Sequence, residues 1–184
     1  MFQNLLKKIA RKLEKASIPY MVIGGQAVLL YGEPRLTKDI DITLGIGISE
    51  LDRIMKVVAG LKLNILVDKV DDFVKKTMVL PVIDKKYGIR VDFIFSFSPY
   101  EKEAIKRAQD VKLGKTTVRF ASLEDVVIHK VISGRARDIE DIKAILLKNP
   151  NYGIQYIVRW LKAFDGSLNE NFLEVFKKIE KDIK

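Results

Sequence analysis

The chain has 184 residues, with 33 Lys plus Arg against 24 Asp plus Glu, one His, no Cys and 48% hydrophobic residues. That fits one ordinary globular domain, in which about 70% of the unfolded surface can be buried, and excludes a disordered tail or a disulfide-held mini-protein. The formal charge of +9 fits a polyanionic partner such as a nucleotide, RNA or DNA, while the missing Cys and scarce Asn and Gln equally fit a heat-adapted, thermostable protein.

From the N-terminus, Leu5, Leu6, Ile9 and Leu13 recur at helical spacing with Lys7, Lys8, Arg11, Lys12 and Lys15 between them. This predicts a helix that lays one face on the core. The segment lacks the uninterrupted apolar stretch of a signal peptide. Residues 20–32 form the most apolar run and fall short of the roughly 20 residues that span a bilayer, so no membrane partner and a cytoplasmic location are expected. Apolar runs with β-branched residues predict strands over 20–23, 40–44, 63–67, 78–83 and 89–95, with a weaker pair at 111–113 and 117–120.

Helices interleave with these strands. A short one over 26–31 follows Gly24-Gly25. Ser49 is expected to cap a second, whose apolar face is Leu51, Ile54, Met55 and Val58. Ser122 with Asp125 opens the first of four more, over 122–133, 138–148, 152–164 and 169–182, with a turn at Asn149-Pro150-Asn151. The fold class is therefore α+β: a mixed β-sheet with flanking helices over residues 1–121, followed by a helical C-terminal portion over 122–184 packed on that core. There is no flexible linker, low-complexity tract or internal repeat.

Residues 21–44, MVIGGQAVLLYGEPRLTKDIDITL, carry the chemistry. A buried strand runs into Gly24-Gly25 and then a helix. Glycines there let the backbone turn sharply and approach a ligand closely, and the free N–H groups of the helix start suit a phosphate. A tight strand-to-helix turn without a ligand is the plainer alternative for the Gly pair alone. Asp39 and Asp41 alternate with Ile40 and Ile42, so both carboxylates project from one face, about 6 to 7 Å apart, while the isoleucines face the core. Carboxylates at that spacing suit Mg²⁺, a hard cation that takes oxygen ligands and keeps substrate phosphates in its shell. Asp92 interrupts the apolar strand IRVDFIF. If that strand lies beside Asp39 and Asp41, three carboxylates converge and require a compensating cation.

An apolar residue, Gly-Gly, thirteen intervening residues, D-I-D and a later strand Asp together resemble the nucleotidyltransferase superfamily with the DNA polymerase beta-like catalytic fold. G-G-Q-A at Gly24 to Ala27, followed by R-x-T-x-D-I-D at Arg35, Thr37, Asp39 and Asp41, resembles the branch of AbiEii-type toxins and their uncharacterised prokaryotic relatives. The resemblance covers roughly residues 17–150. It implies transfer of a nucleoside monophosphate from an NTP such as ATP to an acceptor hydroxyl, with release of pyrophosphate. Under it, Gly24 and Gly25 hold the NTP phosphates, Asp39 and Asp41 bind Mg²⁺, and Asp92 completes the metal site and helps activate the acceptor. Many superfamily members carry Ser where Gly25 stands, and Gly25 offers only its amide.

Arg35 either pairs with the triphosphate or forms a loop salt bridge with an acid such as Glu33. Lys38 flanks the same site, and Thr37 is assigned no chemistry. Lys130, with Arg135 or Arg137, either contacts phosphate or acceptor or belongs to a solvated helix face. With one His and no Cys, His-based triads, thiol catalysis and structural zinc sites are excluded. The acceptor is open among RNA, protein and small molecules. The alternative to catalysis is a nucleotide- or RNA-binding regulator, or a toxin–antitoxin component, of the same fold.

Overall fold

The structure is a computed structural model in which every residue except Arg35, Phe97 and Lys184 is described. The apolar runs form seven strands: β1 (Tyr20–Ile23), β2 (Asp39–Leu44), β3 (Asn64–Ile65), β4 (Val79–Asp84), β5 (Ile89–Phe95), β6 (Gln109–Leu113) and β7 (Thr116–Phe120). They join one mixed sheet in the order β3-β4-β5-β2-β1-β7-β6. In β5 the buried positions are Ile89, Val91, Phe93 and Phe95, and in β2 Ile40 and Ile42 are fully buried. The pleat therefore sends Arg90 and Asp92 of β5, and Asp39 and Asp41 of β2, to the opposite face.

Among the described residues the helices are α1 (Phe2–Lys15), α2 (Gly24–Tyr31), α3 (Leu51–Leu61), α4 (Val70–Thr77), α5 (Pro99–Arg107), α6 (Leu123–Ser133), α7 (Ala136–Lys148), α8 (Ile154–Leu168) and α9 (Phe172–Asp182). The chain divides into two compact units. The first comprises Met1–Gln26 and Leu36–Ala121, the second Ala27–Arg35 and Ser122–Lys184.

In the first unit, α1 buries Leu5, Leu6, Ile9, Ala10 and Leu13, the stripe its periodicity predicts, and packs on β7 and α3. Arg11 secures it by donating to Thr116 Oγ1 at 2.9 and 2.7 Å. The second unit is helical. Its first helix, α6, is capped by Ser122, whose hydroxyl accepts from the Asp125 amide and donates to the Asp125 carboxylate at 2.7 Å. Tyr156 of α8 donates to the other oxygen of Asp125 at 2.9 Å, and Ile142, Ile145, Ile157, Leu161 and Phe176 fill the interior.

Two helices escape the sequence reading. α4 carries a short apolar stripe, Val70, Phe73 and Val74, of which only Val74 is buried; Asp71 and Asp72 in its first turn and Lys75 and Lys76 in its last match the helix dipole. α5 opens with a capping box, Ser98 with Glu101, and Pro99 in its first turn. Ser49 does not cap α3. It lies in a tighter helical turn, Ile48–Glu50, and the N-cap is Glu50, which makes no side-chain cap bond and pairs with Arg53 instead.

Phe93→Ala removes a fully buried ring from the centre of the sheet. It is expected to cost about 3–5 kcal/mol, seen as a lowered urea midpoint. Leu36→Ser, at a side chain 92% exposed, is expected to stay within about 0.5 kcal/mol of the parent.

Candidate active site

β2 is central to the site because it pairs antiparallel with β1 on one side and parallel with β5 on the other. In the β2–β5 ladder Asp41 stands opposite Asp92, and Asp39 opposite Arg90. Parity and register together bring Asp39, Asp41 and Asp92 to one face of two adjacent strands. Asp39 is exposed, and Asp41 and Asp92 are partly buried.

On the other side of β2, Ile23 stands opposite Asp41, so β1 ends and α2 begins beside that carboxylate. Gly24 has φ +63°, and a Cβ built there falls 2.0 Å from Asp41 Oδ2. Glycine is thus required twice at position 24, for the left-handed backbone and for the space the carboxylate occupies. Gly25 is buried in the first turn of α2 and does not share the positive φ. No acidic residue lies in that first turn to compete for its free N–H groups.

Two further residues belong to this arrangement and were not recognised in the sequence. Arg90 lies two residues before Asp92 on the same face and donates to Asp92 Oδ1 at 2.9 Å. Its pKa is raised, first by that hydrogen bond, against an opposing effect of burial, and then by the charges of Asp92, Asp39 and Asp41. All three carboxylates therefore act on a single cation. The signal was the R-V-D spacing within a predicted strand, which puts the two side chains on one face. Gln26 Nε2 donates to Thr37 Oγ1 at 2.5 Å, tying α2 to the residues that enter β2.

Among the described residues, no three Asp, Glu, His or Cys side chains are drawn together into a ready-made metal cage. The donor chemistry nevertheless fits a hard divalent cation. All three acids supply carboxylate oxygens on a common face, and Arg90 marks a point where their fields favour positive charge.

The remaining candidates are placed differently. Arg35 lies outside the described residues. Lys38 is exposed, and Glu33 is held by Lys148 at 2.8 Å. Lys130 is buried in the second unit, its ammonium on Asp138 and, at 2.8 Å, on Asp141, while Arg135 reaches Asp138 at 2.8 Å. This gives Lys130 a set of structural partners where the sequence suggested a phosphate. Burial would raise the pKa of Asp138, but hydrogen bonds from Lys130 and Arg135 and their charges outweigh it and lower the value.

A mixed sheet of this strand order, with D-x-D on its central strand and a third Asp on the adjacent parallel strand, has a nucleotidyltransferase-like fold. Residues 1–151 match a family model described as "Nucleotidyltransferase of unknown function", and the chain belongs to that family of nucleotidyl-transferring enzymes. Among curated proteins, none matches. Solved structures agree on the fold. The antibiotic-resistance factor ANT(2'')-Ia is 16% identical with a TM-score of 0.61, over 91% of this chain and 92% of that one. An antigenic nucleotidyltransferase-like protein from Paracoccidioides brasiliensis is 15% identical with a TM-score of 0.56, over 91% of each chain. The lincosamide antibiotic adenylyltransferase LnuA is 16% identical with a TM-score of 0.50, over 72% of this chain and 89% of that one.

Gly24→Ala is expected to destabilise the protein by about 1–2 kcal/mol from backbone strain alone and to displace Asp41, measurable by thermal denaturation. Lys130→Met leaves buried carboxylates undercompensated and is expected to cost about 3–5 kcal/mol near neutral pH. Because Asp138 has a folded pKa below its ordinary 3.8, its ion pair contributes stability above that value, which is lost as pH falls through the folded pKa. Denaturant titrations from neutral to acid pH are expected to show a shallower acid loss in Lys130→Met than in the parent.

Proposed function

We propose that this enzyme is Mg²⁺-dependent and transfers a nucleoside monophosphate from an NTP to an acceptor hydroxyl. The observation that carries the reading is the β2–β5 register, which sets Asp41 against Asp92 with Asp39 two residues along, beside the Gly24 turn. The acceptor oxygen attacks the α-phosphorus, the bond from that phosphorus to the bridging oxygen breaks, and pyrophosphate leaves with the electron pair. The proton released by the acceptor passes to a base, a role that Asp92 fills on this face.

Asp39, Asp41 and Asp92 would hold the cation. When bound, Mg²⁺ stabilises the attacking and leaving oxygens and offsets the phosphate charge. The backbone at Gly24 and Gly25 presents the first-turn N–H groups of α2 to the phosphates. Gln26 and Thr37 act as positioning residues by fixing the approach to β2. Arg90 orients Asp92 and balances the charge of the face.

Incubation with each NTP labelled at the α-phosphate, Mg²⁺ and a cell extract tests this reading. Label is expected in one fraction, RNA, protein or small molecule, with matching pyrophosphate release. Asp39→Asn and Asp41→Asn are each expected to lower the rate about a thousandfold without unfolding the protein, the loss of several kcal/mol of charge stabilisation. Transfer that persists unchanged in both variants overturns the proposal.

A further inference from the structure

A row of lysines lies on α1, the helix that packs on β7 and α3. Lys8, Lys12 and Lys15 follow one another at i, i+4 and i+7 along α1, with successive rises of about 6 and 4.5 Å. They face Lys56 of α3 and Lys62, the residue that caps it. Two adjoining cavities of about 320 and 510 Å³ lie between these helices and share Lys12 and Lys15. No carboxylate lines either cavity.

All five lysines are exposed, and none is ion-paired to a described carboxylate. They equal more than half of the +9 surplus. The neighbouring arginines are occupied elsewhere. Arg11 is bound to Thr116, and Arg53 is bound to Glu50 and, at 2.8 Å, to the Ala16 carbonyl. Those bonds hold the walls of the groove and leave the lysines as its free charge. At Gly60 of α3 an added Cβ would come within 3.1 Å of Lys12 Nζ, so the bare glycine backbone leaves room for that ammonium across the groove.

We propose that the groove between α1 and α3 is a docking surface for the phosphodiester backbone of a nucleic acid, independent of base sequence. Uncompensated like charges side by side repel one another, and a string of phosphates relieves that repulsion while releasing counterions. The charge is a row on two helices, which suits a strand rather than a single phosphate group. A membrane is disfavoured because the apolar residues of α1, Leu5 to Leu13, are at most 2% exposed and leave nothing to insert between acyl chains. The proposal stands apart from the transfer chemistry.

The test is fluorescence anisotropy of a labelled 20-nucleotide RNA strand of mixed sequence across a salt series, with a DNA strand and anionic phosphatidylserine vesicles in parallel. The parent is expected to bind both strands with a log–log salt slope of about −3, and Lys8→Gln/Lys12→Gln/Lys15→Gln to lose about 2 units of that slope and about tenfold or more in affinity at low salt. Lys56→Gln/Lys62→Gln provides a second variant from the opposite wall, expected to lose about 1 unit, and thermal melting checks that each stays folded. Asp39→Asn/Asp41→Asn is expected to bind RNA as the parent does, which separates this proposal from the catalytic one. Absence of salt-dependent binding by the parent, an unchanged slope in both lysine variants, or preference for vesicles over nucleic acid overturns the proposal.

Discussion

The constraint on which the rest of the structure depends is the concentration of three carboxylates on one face of two adjacent strands. Like charges on one face repel one another, and nothing in their own interaction holds them there. What holds them is the reverse side of the sheet. Ile40, Ile42, Val91 and Phe93 are fully buried, so any one-residue slip of β2 or β5 would move those side chains toward solvent and carboxylates into the core. Apolar burial thus sets the register, and the register sets the site.

Much of this was legible because it rests on local periodicity. The alternation D-I-D-I and the apolar spacing of IRVDFIF are visible without coordinates, and the structure places those side chains on the faces that a period of two requires. The nucleotidyltransferase assignment followed from the same residues and agrees with the family match. What stayed hidden was of two kinds. Pairing partners depend on long-range packing, so the adjacency of β2 and β5 was only a condition in the sequence and became a fact in the ladder. Short helices left only a brief apolar stripe to read, as in α4, where Val70, Phe73 and Val74 cover little more than one turn. α5 was missed although its Ser98-Pro99 start and Glu101 were readable.

The charge balance was only half legible. The sequence suggested a polyanionic partner from the surplus alone, and the structure places Lys8, Lys12, Lys15, Lys56 and Lys62 along the groove between α1 and α3. Composition reports how much charge a chain carries, whereas its location depends on which helix faces the core leaves outward. The sequence left Lys130 either as a phosphate or acceptor contact or as part of a solvated helix face, and the structure sets its ammonium on two buried carboxylates one helix further on.

Arg90 gives the carboxylate face its own resident counter-ion. The newly made chain therefore has no need to await an external cation before β2 and β5 can align: the sheet carries its own balancing charge from the moment the two strands pair.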